Sequence, residues 1–356
     1  MVGNSIKVRQ YRSGDEKGIN ELFGRLFHKS RTPGEWEWKF RNNPHSRKPA
    51  DWITVAERDD CIVGHYASLP VEMKYKDSVV LASQPVDTMI DLSAKGATLL
   101  KLVKMHQQNK RDADAFTFGF PNEMAYEVGK LVLGYQDLGE MVQYFKRLSL
   151  RSAIKRRFPY CPYLLTTIIH RVSQALYGMA LSLSAIKSGV SRTLIIEEGD
   201  TFDSKVNRLW EAVRNRFGIA VIRRDAYLNW RYKKRGYIIL LCKEGEDLSG
   251  YAVLKITGQP GTRVGYIMDL LSKEEVTAPL LIRVLRIFVE RDVDFALCGL
   301  MKGDSMERDI GKVGYRRHNE FKHIPVVCVP LSTDIEKDYL MRPENWHFTY
   351  GDIDGM

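Results

Sequence analysis

The sequence lacks the long apolar runs, the paired cysteines and the histidine patterns that mark several large classes of protein. No eighteen consecutive apolar residues occur in its 356, so no membrane span is expected. The opening stretch, "MVGNSIKVRQYRSGDEKG", is too polar for a signal peptide. Cys61, Cys161, Cys242, Cys298 and Cys328 are scattered, odd in number and never in C-x-x-C. That argues against a disulfide framework or a thiolate zinc site, and fits buried thiols in a reducing, cytoplasmic setting. The eight histidines form neither H-x-x-x-H nor H-E-x-x-H, so no metal is expected. Acidic residues are missing altogether between Lys146 and Ile195.

What is present looks like an ordinary soluble protein, with 44% hydrophobic and 28% charged residues. The length is comfortable for two domains. The net charge of +10 is uneven, because Lys146, Arg147, Arg151, Lys155, Arg156, Arg157, Arg171, Lys187 and Arg192 all stand in the acid-free span. The flanking regions are close to balanced, so an argument from overall basicity to nucleic acid fails. "WEWKF" and "LNWRY" carry an aromatic-cation mix, but no RNP-like or helix-turn-helix pattern accompanies them. Trp38 and Trp230 are expected as core or interface aromatics, and no nucleic-acid partner is expected.

Periodicity predicts a strand over "IKVRQY", then a helix opened by a Ser13–Glu16 capping box, with Ile19, Leu22, Phe23, Leu26 and Phe27 on one face. Two strands follow around an Asp59-Asp60 turn, then a strand over "VVLASQPVDTMID". A helix over "GATLLKLVKMHQQNK", a strand over "DAFTFGF" and a helix ending at Gly134 complete the first half.

The second half replays this order. Trp38 matches Trp230 at an offset of 192, Gly64 matches Gly250 at 186, Asp87 matches Asp269 at 182, and Gly134 matches Gly314 at 180. Four matches in order at a slowly drifting offset point to duplication, and the period is far too long for a solenoid. The expected architecture is α/β, of the layered α+β kind, with a mixed, mostly antiparallel sheet and flanking helices in each copy. The expected segments are 1–145, a basic helical connector over 146–193, and 194–356.

Strand, helix, three strands, helix, strand, helix, strand resembles the GNAT N-acetyltransferase superfamily. "YRSGDEKGINELF", "WEWKFRNNP", "IVGHYASLPVEM", "FGFPNEMAYEVGKLVLGYQDLG" and the terminal "ENWHFTYGDIDG" resemble a tandem GNAT group often encoded among glycan-biosynthesis genes. The resemblance implies acetyl-CoA as co-substrate, lying where the fourth and fifth strands splay, with its pyrophosphate on a [QR]-x-x-G-x-[GA] loop. Unpaired N–H groups and the macrodipole favour an anion at a helix N-terminus, and glycine lets the backbone approach it. The matching stretch is "SAKGATLL": Gly96 is in place, Ser93 stands for Gln or Arg, and Thr98 for Gly or Ala. The residues expected at the cofactor are Met89, Ile90, Lys95, Gly96, Ala97, Thr98 and Asn122. Gly96 could equally do no more than start a helix, and Asn122 could be only an N-cap. In the second copy "LLSKEEVTAPLL" has no glycine, and Glu274 and Glu275 would repel a pyrophosphate.

Tyr126 is the candidate general acid and Asp87 the candidate base, with His65 and Glu72 nearby in sequence. Apolar neighbours are expected to raise the Asp87 pKa, which suits a base and equally a structural role; the matching Asp269 favours structure. His65 is expected to titrate near neutrality. The expected activity is acetyl transfer to a primary amine, on an amino sugar or sugar nucleotide. The alternatives are a Fem-type aminoacyl or peptidyl transferase, and a non-catalytic binding protein with decayed sites. The connector reads either as a solvated bridge or as a segment leaning on anionic lipid, with Ile168, Ile169, Val172, Leu176, Met179 and Leu183 as an apolar stripe.

Overall fold

The computed structural model describes residues 5–354 apart from 47, 95, 111–112, 151–153, 155–156, 159, 161, 188–193, 260–261 and 319–322. It forms two compact units. The first is Met1–Gly139 with Ile219–Ile222 and Ile324–Asn345; the second is Glu140–Gly218 with Arg223–His323 and Trp346–Met356. Where consecutive segments 1–145, 146–193 and 194–356 are expected, these units interleave along the chain.

In the first unit, β1 (Lys7–Gln10), β2 (Ile53–Arg58), β3 (Cys61–Tyr75), β4 (Ser78–Ile90) and β5 (Phe116–Gly119) are neighbours in that order. All pair antiparallel except β4 with β5. Two segments from later in the chain complete it. β8 (Ile219–Val221) pairs with the end of β3, and β14 (Ile324–Pro330) pairs antiparallel with β5. The β2–β3 turn uses Asp59 and Asp60 at φ 51° and 58°, the left-handed pair that a two-residue hairpin requires. β3 is buried on both faces. α1 (Asp15–Phe27) packs Ile19 and Leu22 with Ile62, Ala67 and Leu69 on one side. α4 (Thr98–Lys110) packs Leu102 and Val103 with Val63 and Tyr66 on the other. Burying each such side chain contributes about 1.5–3 kcal/mol.

Two local expectations need correction. α1 is capped at Gly14, not Ser13: Gly14 takes φ 104°, and its N–H donates to the Glu16 carboxylate, so only half of a capping box forms. Trp36, on α2 (Pro33–Trp36), and Phe40 are the core aromatics of "WEWKF", while Trp38 is half-buried. The remaining helices here are α3 (Pro49–Trp52), α5 (Glu123–Val128) and α11 (Lys337–Leu340).

The second unit repeats the plan. β6 (Gln136–Arg147) pairs antiparallel with β12 (Phe295–Met301) from Met141 to Arg147, and with β13 (Arg316–Arg317). β12 is followed by β11 (Thr262–Ser272), β10 (Asp247–Gln259), β9 (Ile238–Glu244) and β7 (Leu194–Gly199). α9 (Glu274–Glu290) buries Leu280, Leu281, Val284, Leu285 and Phe288 on this sheet. α6 (Tyr163–Lys187), α7 (Lys205–Val213), α8 (Asp225–Tyr232), α10 (Glu307–Lys312) and the short β15 (Trp346–His347) complete it. Within the expected connector 146–193, Tyr163–Lys187 form a helix of 25 residues.

Candidate functional site

The β3–β4 ladder runs His65 opposite Met89, then Ala67 opposite Val86, so β4 carries an extra residue where it faces Tyr66. Asp87 lies in this bulge at φ 47°. On its other side β4 is joined to β5 by a single parallel pair, Ser83 with Thr117, and beyond it the two strands part. Because they are parallel, both end at the same edge of the sheet. β4 leads there into the loop before α4, and β5 leads into Asn122 at the start of α5. The result is a wedge between two strands with helix N-termini at its mouth, the expected form of a site for an extended anionic ligand.

Asp87 does not behave as expected from its apolar neighbours. Arg31 Nη1 lies 2.5 Å from one carboxylate oxygen and Lys39 Nζ 2.9 Å from the other, with all three side chains buried. Burial opposes the charge, but Lys39 and Arg31 outweigh it and hold the pKa down at about 2. A carboxylate held so firmly ionised and doubly paired is a weak proton acceptor. His65 is also corrected: it is fully buried, its Nδ1 meets the Asp87 carbonyl at 2.7 Å, and burial pushes it down to about 4. It is neutral near pH 7. Arg31 and Lys39 were missed at the sequence level. The signal was available, because Arg31 and Arg223 share the 192-residue offset of Trp38 and Trp230.

In the loop, Lys95 lies outside the described residues. Gly96 takes φ +100° and is exposed, with nothing within 4 Å of where a Cβ would sit. Ala97 is exposed, Thr98 and Met89 are buried, and Ile90 is half-buried. Ser93 is engaged locally: its N–H donates to Asp91, and Arg58 donates to its hydroxyl and carbonyl. That places a guanidinium beside the loop where the family pattern carries its own Gln or Arg. Asn122 caps α5, its side-chain oxygen accepting from Ala125 N–H at 2.9 Å. Tyr126 donates its hydroxyl to Asp137 at 2.6 Å, and Lys130 donates to the other Asp137 oxygen at 2.8 Å. The bond to Asp137 raises the Tyr126 pKa, while Lys130 and then Tyr126 lower that of Asp137.

The second copy has the same frame with the gap filled. β11 bulges at Met268, between Ile267 opposite Leu254 and Asp269 opposite Val253. It pairs with β12 from Val264 to Ile267, then parts from it. The chain's own terminal stretch occupies the space. Thr349 bridges to Leu300 of β12, and Tyr350 accepts from Gln143 Nε2 at 2.6 Å, its ring beside Gly299 and Tyr266. Gly351 sits so close to Tyr232 and Met268 that a Cβ there would lie 1.9 Å from the Tyr232 hydroxyl. Arg231 donates to the Gly351 and Ile353 carbonyls, and Arg223 bridges Asp269 and Asp352. Glu274 and Glu275, both exposed, open α9.

A cavity of about 630 Å³ in the first unit is lined by His45, Trp52, Glu72, Leu81 and Lys110 among others. Its β4 lining is Val79–Leu81, six to eight residues or roughly 20–26 Å along the strand from Asp87, so it lies away from the bulge. Among the described residues no group of three His, Cys, Asp or Glu is placed to hold a metal ion.

Residues 7–127 match the family model described as the acetyltransferase (GNAT) domain, the span from β1 through most of α5. No curated protein matches the sequence. Among solved structures, a GCN5-related N-acetyltransferase from Kribbella flavida is similar with a TM-score of 0.61 at 12% identity, over 92% of this chain and 71% of that one. One from Anabaena variabilis ATCC 29413 is similar with a TM-score of 0.61 at 10% identity, over 91% and 72%. At these identities the likeness is one of fold. Residues 7–127 are thus similar to the GNAT acetyltransferase domain, and the chain has the fold of the GCN5-related N-acetyltransferases.

Proposed function

We propose that the first unit moves an acetyl group from acetyl-CoA to a primary amine, on an amino sugar or sugar nucleotide used in glycan biosynthesis, in the cytoplasm. One observation carries the reading. β4 and β5 part after Ser83–Thr117, next to the Asp87 bulge, and the glycine loop at Gly96 opens α4 at the same edge. The counterpart gap in the second unit is filled by residues 349–353 and faced by two glutamates.

In this reading the pyrophosphate rests on the N–H groups of Gly96, Ala97 and Thr98, with Lys95 adding charge. The pantetheine arm runs beside Met89 and Ile90 toward Asn122. The amine nitrogen attacks the thioester carbonyl, the C–S bond breaks, and the amine loses its proton to a water molecule. Tyr126 gives its hydroxyl proton to the departing thiolate. Asp87 serves as an anchor for the bulge, since a pKa near 2 suits a permanent anion better than a base.

A thermal-shift titration with acetyl-CoA tests the reading. Ligand at a hundred times Kd should stabilise the fold by about 2.7 kcal/mol. Gly96→Glu, which puts a carboxylate at the loop, should abolish the shift; because φ +100° strains any side chain there, Gly96→Ala serves as the control for the loss of unliganded stability. Coenzyme A release with amino-sugar acceptors then follows by thiol detection. No shift at millimolar acetyl-CoA would overturn the proposal in favour of an aminoacyl transferase or a binding protein.

A further inference from the structure

α6 presents its apolar side to solvent. Leu164, Leu165, Ile168, Val172, Leu176 and Met179 are all exposed, from 47% to 74%. They recur at three- and four-residue spacing along one side of the helix. The side turned to the protein is more polar: His170 is buried, and Ser173, Gln174 and Tyr177 are half-buried. This inverts the pattern of an ordinary surface helix. Phe158 and Tyr160, just before the helix, are exposed at 61% and 97%. A patch of this extent and chemistry marks an interaction surface.

Three observations identify the partner. First, α6 and the sequence flanking it carry cations and no acid, although Asp292 bonds its inner side at His170. Arg157 and Arg171 are exposed beside the patch, and the sequence holds nine Lys and Arg and no Asp or Glu from Lys146 to Ile195. A second copy docked by a two-fold axis would set Arg171 and its neighbours against themselves, so charge complementarity favours an anionic surface. Second, the helix is pinned along its side. His170 Nδ1 meets Ser149 Oγ at 2.8 Å, its Nε2 bonds Asp292 after α9, and Tyr177 packs against the core of the second unit. It therefore lies along the unit and is not free to stand through a bilayer, although 25 residues would reach about 38 Å. Third, no helix among the described residues is long and apolar enough to cross a membrane. Apolar residues on the outer face with flanking cations are the composition of a helix that lies in the headgroup layer.

We infer that α6, with Phe158 and Tyr160, is an interfacial helix that docks the second unit on an anionic lipid bilayer. Ile168, Val172, Leu176 and Met179 enter the acyl boundary, and the cations meet lipid phosphates. This does not depend on the acetyltransferase reading.

Flotation of the full chain with vesicles tests it, using phosphatidylcholine alone and phosphatidylcholine mixed with phosphatidylserine. The protein should float with the mixed vesicles at low salt, float weakly with the neutral ones, and be released at high salt. The double substitution I168D/L176D, at two exposed positions, should weaken binding by about tenfold or more per side chain, and Arg171→Glu should weaken it on anionic vesicles alone. Circular dichroism melts of both variants should superimpose on the parent's. The inference is overturned if the parent stays with the unbound fraction at low salt, or if I168D/L176D floats as well as the parent. It is also overturned if light scattering shows a dimer in solution that I168D/L176D converts to monomer.

Discussion

Arg31 and Asp87 form a buried ion pair at 2.5 Å beneath the β4 bulge, and Arg223 and Asp269 repeat it at 3.0 Å beneath the β11 bulge. The duplication thus preserved the charge pair that holds the bulge. The copies diverge at the neighbouring cation. Lys39 completes the neutralisation of Asp87, whereas its counterpart Arg231 turns to the carbonyls of Gly351 and Ile353. In the second unit Asp352 supplies a further carboxylate to Arg223, so the filled gap and the rewired cation belong together.

Removing the Asp87 carboxylate strands two buried cations. Asp87→Ala should cost about 3–5 kcal/mol, the range for breaking one side of a buried pair. Asp87→Asn should cost less, because asparagine keeps an acceptor and tolerates the left-handed φ of 47°. Urea unfolding of the two variants ranks them, and an Asp87→Ala protein as stable as the parent would remove the anchoring role.

Acid should weaken the fold in two stages. His65, pushed down by burial to about 4, refuses a proton that the unfolded chain accepts below about 6.5. Its neutral form therefore supports the fold fully above about pH 6.5, and that support declines by about 3 kcal/mol as pH falls to about 4. His106 is shifted the same way by burial and then Lys110. Asp87 adds stability that is present above about pH 3.8 and lost as pH falls through about 2. Urea midpoints at pH 7, 5.5 and 4.5 measure the first stage. His65→Gln should shrink it and leave the His106 part, and a parent midpoint constant across these values would contradict the buried neutral imidazoles.

The strands and helices of both copies were legible because their residues follow simple periods. β3, α1 and α4 are apolar where two faces meet, and the Asp59-Asp60 turn has the right chemistry. The pairing of Asp87 with Asp269 was legible through the repeat. The bulge was not, because an extra residue in a strand leaves no mark on composition. The Asp87 pKa was misjudged because its partners come from elsewhere, 56 and 48 residues away in sequence. The terminal "HFTYGDIDG" could be matched to a family ending, but its seat between β11 and β12 depends on contacts made across the fold. For α6 the period was readable and the outward direction was not, since burial of His170 through Ser149 and Asp292 decides which face turns in.

Tyr126 offers a separable catalytic test, because among the described residues its hydroxyl bonds the Asp137 side chain alone, on a largely exposed helix. Tyr126→Phe should lower kcat by about a hundredfold or more with the KM for acetyl-CoA and the melting temperature little changed. Asp137→Asn removes the group that raises the Tyr126 pKa. The alkaline limb of the kcat profile, where the acid loses its proton, should then move to lower pH. An unmoved limb would assign it to another group.

The filled gap makes the sharpest steric prediction. Gly351 carries no unusual φ, so its identity is required by space alone: an added methyl would lie 1.9 Å from the Tyr232 hydroxyl and 3.0 Å from the Met268 carbonyl oxygen. The neighbours have little room to move, since Tyr232 is buried and bonded to Asp269 and the Gly351 carbonyl is held by Arg231. Gly351→Ala should therefore destabilise the fold by about 3 kcal/mol or more, at or beyond the usual range for overpacking. Tyr232→Phe deletes the oxygen that the methyl strikes. In a double-mutant cycle the pair should lose less stability than the sum of the singles, with a coupling of about 1 kcal/mol or more. Neither substitution should alter the response to acetyl-CoA, because the gap they line belongs to the second unit. A neutral Gly351→Ala, or strictly additive changes, would show that residues 349–353 do not sit between β11 and β12, and would reopen that gap as a ligand site.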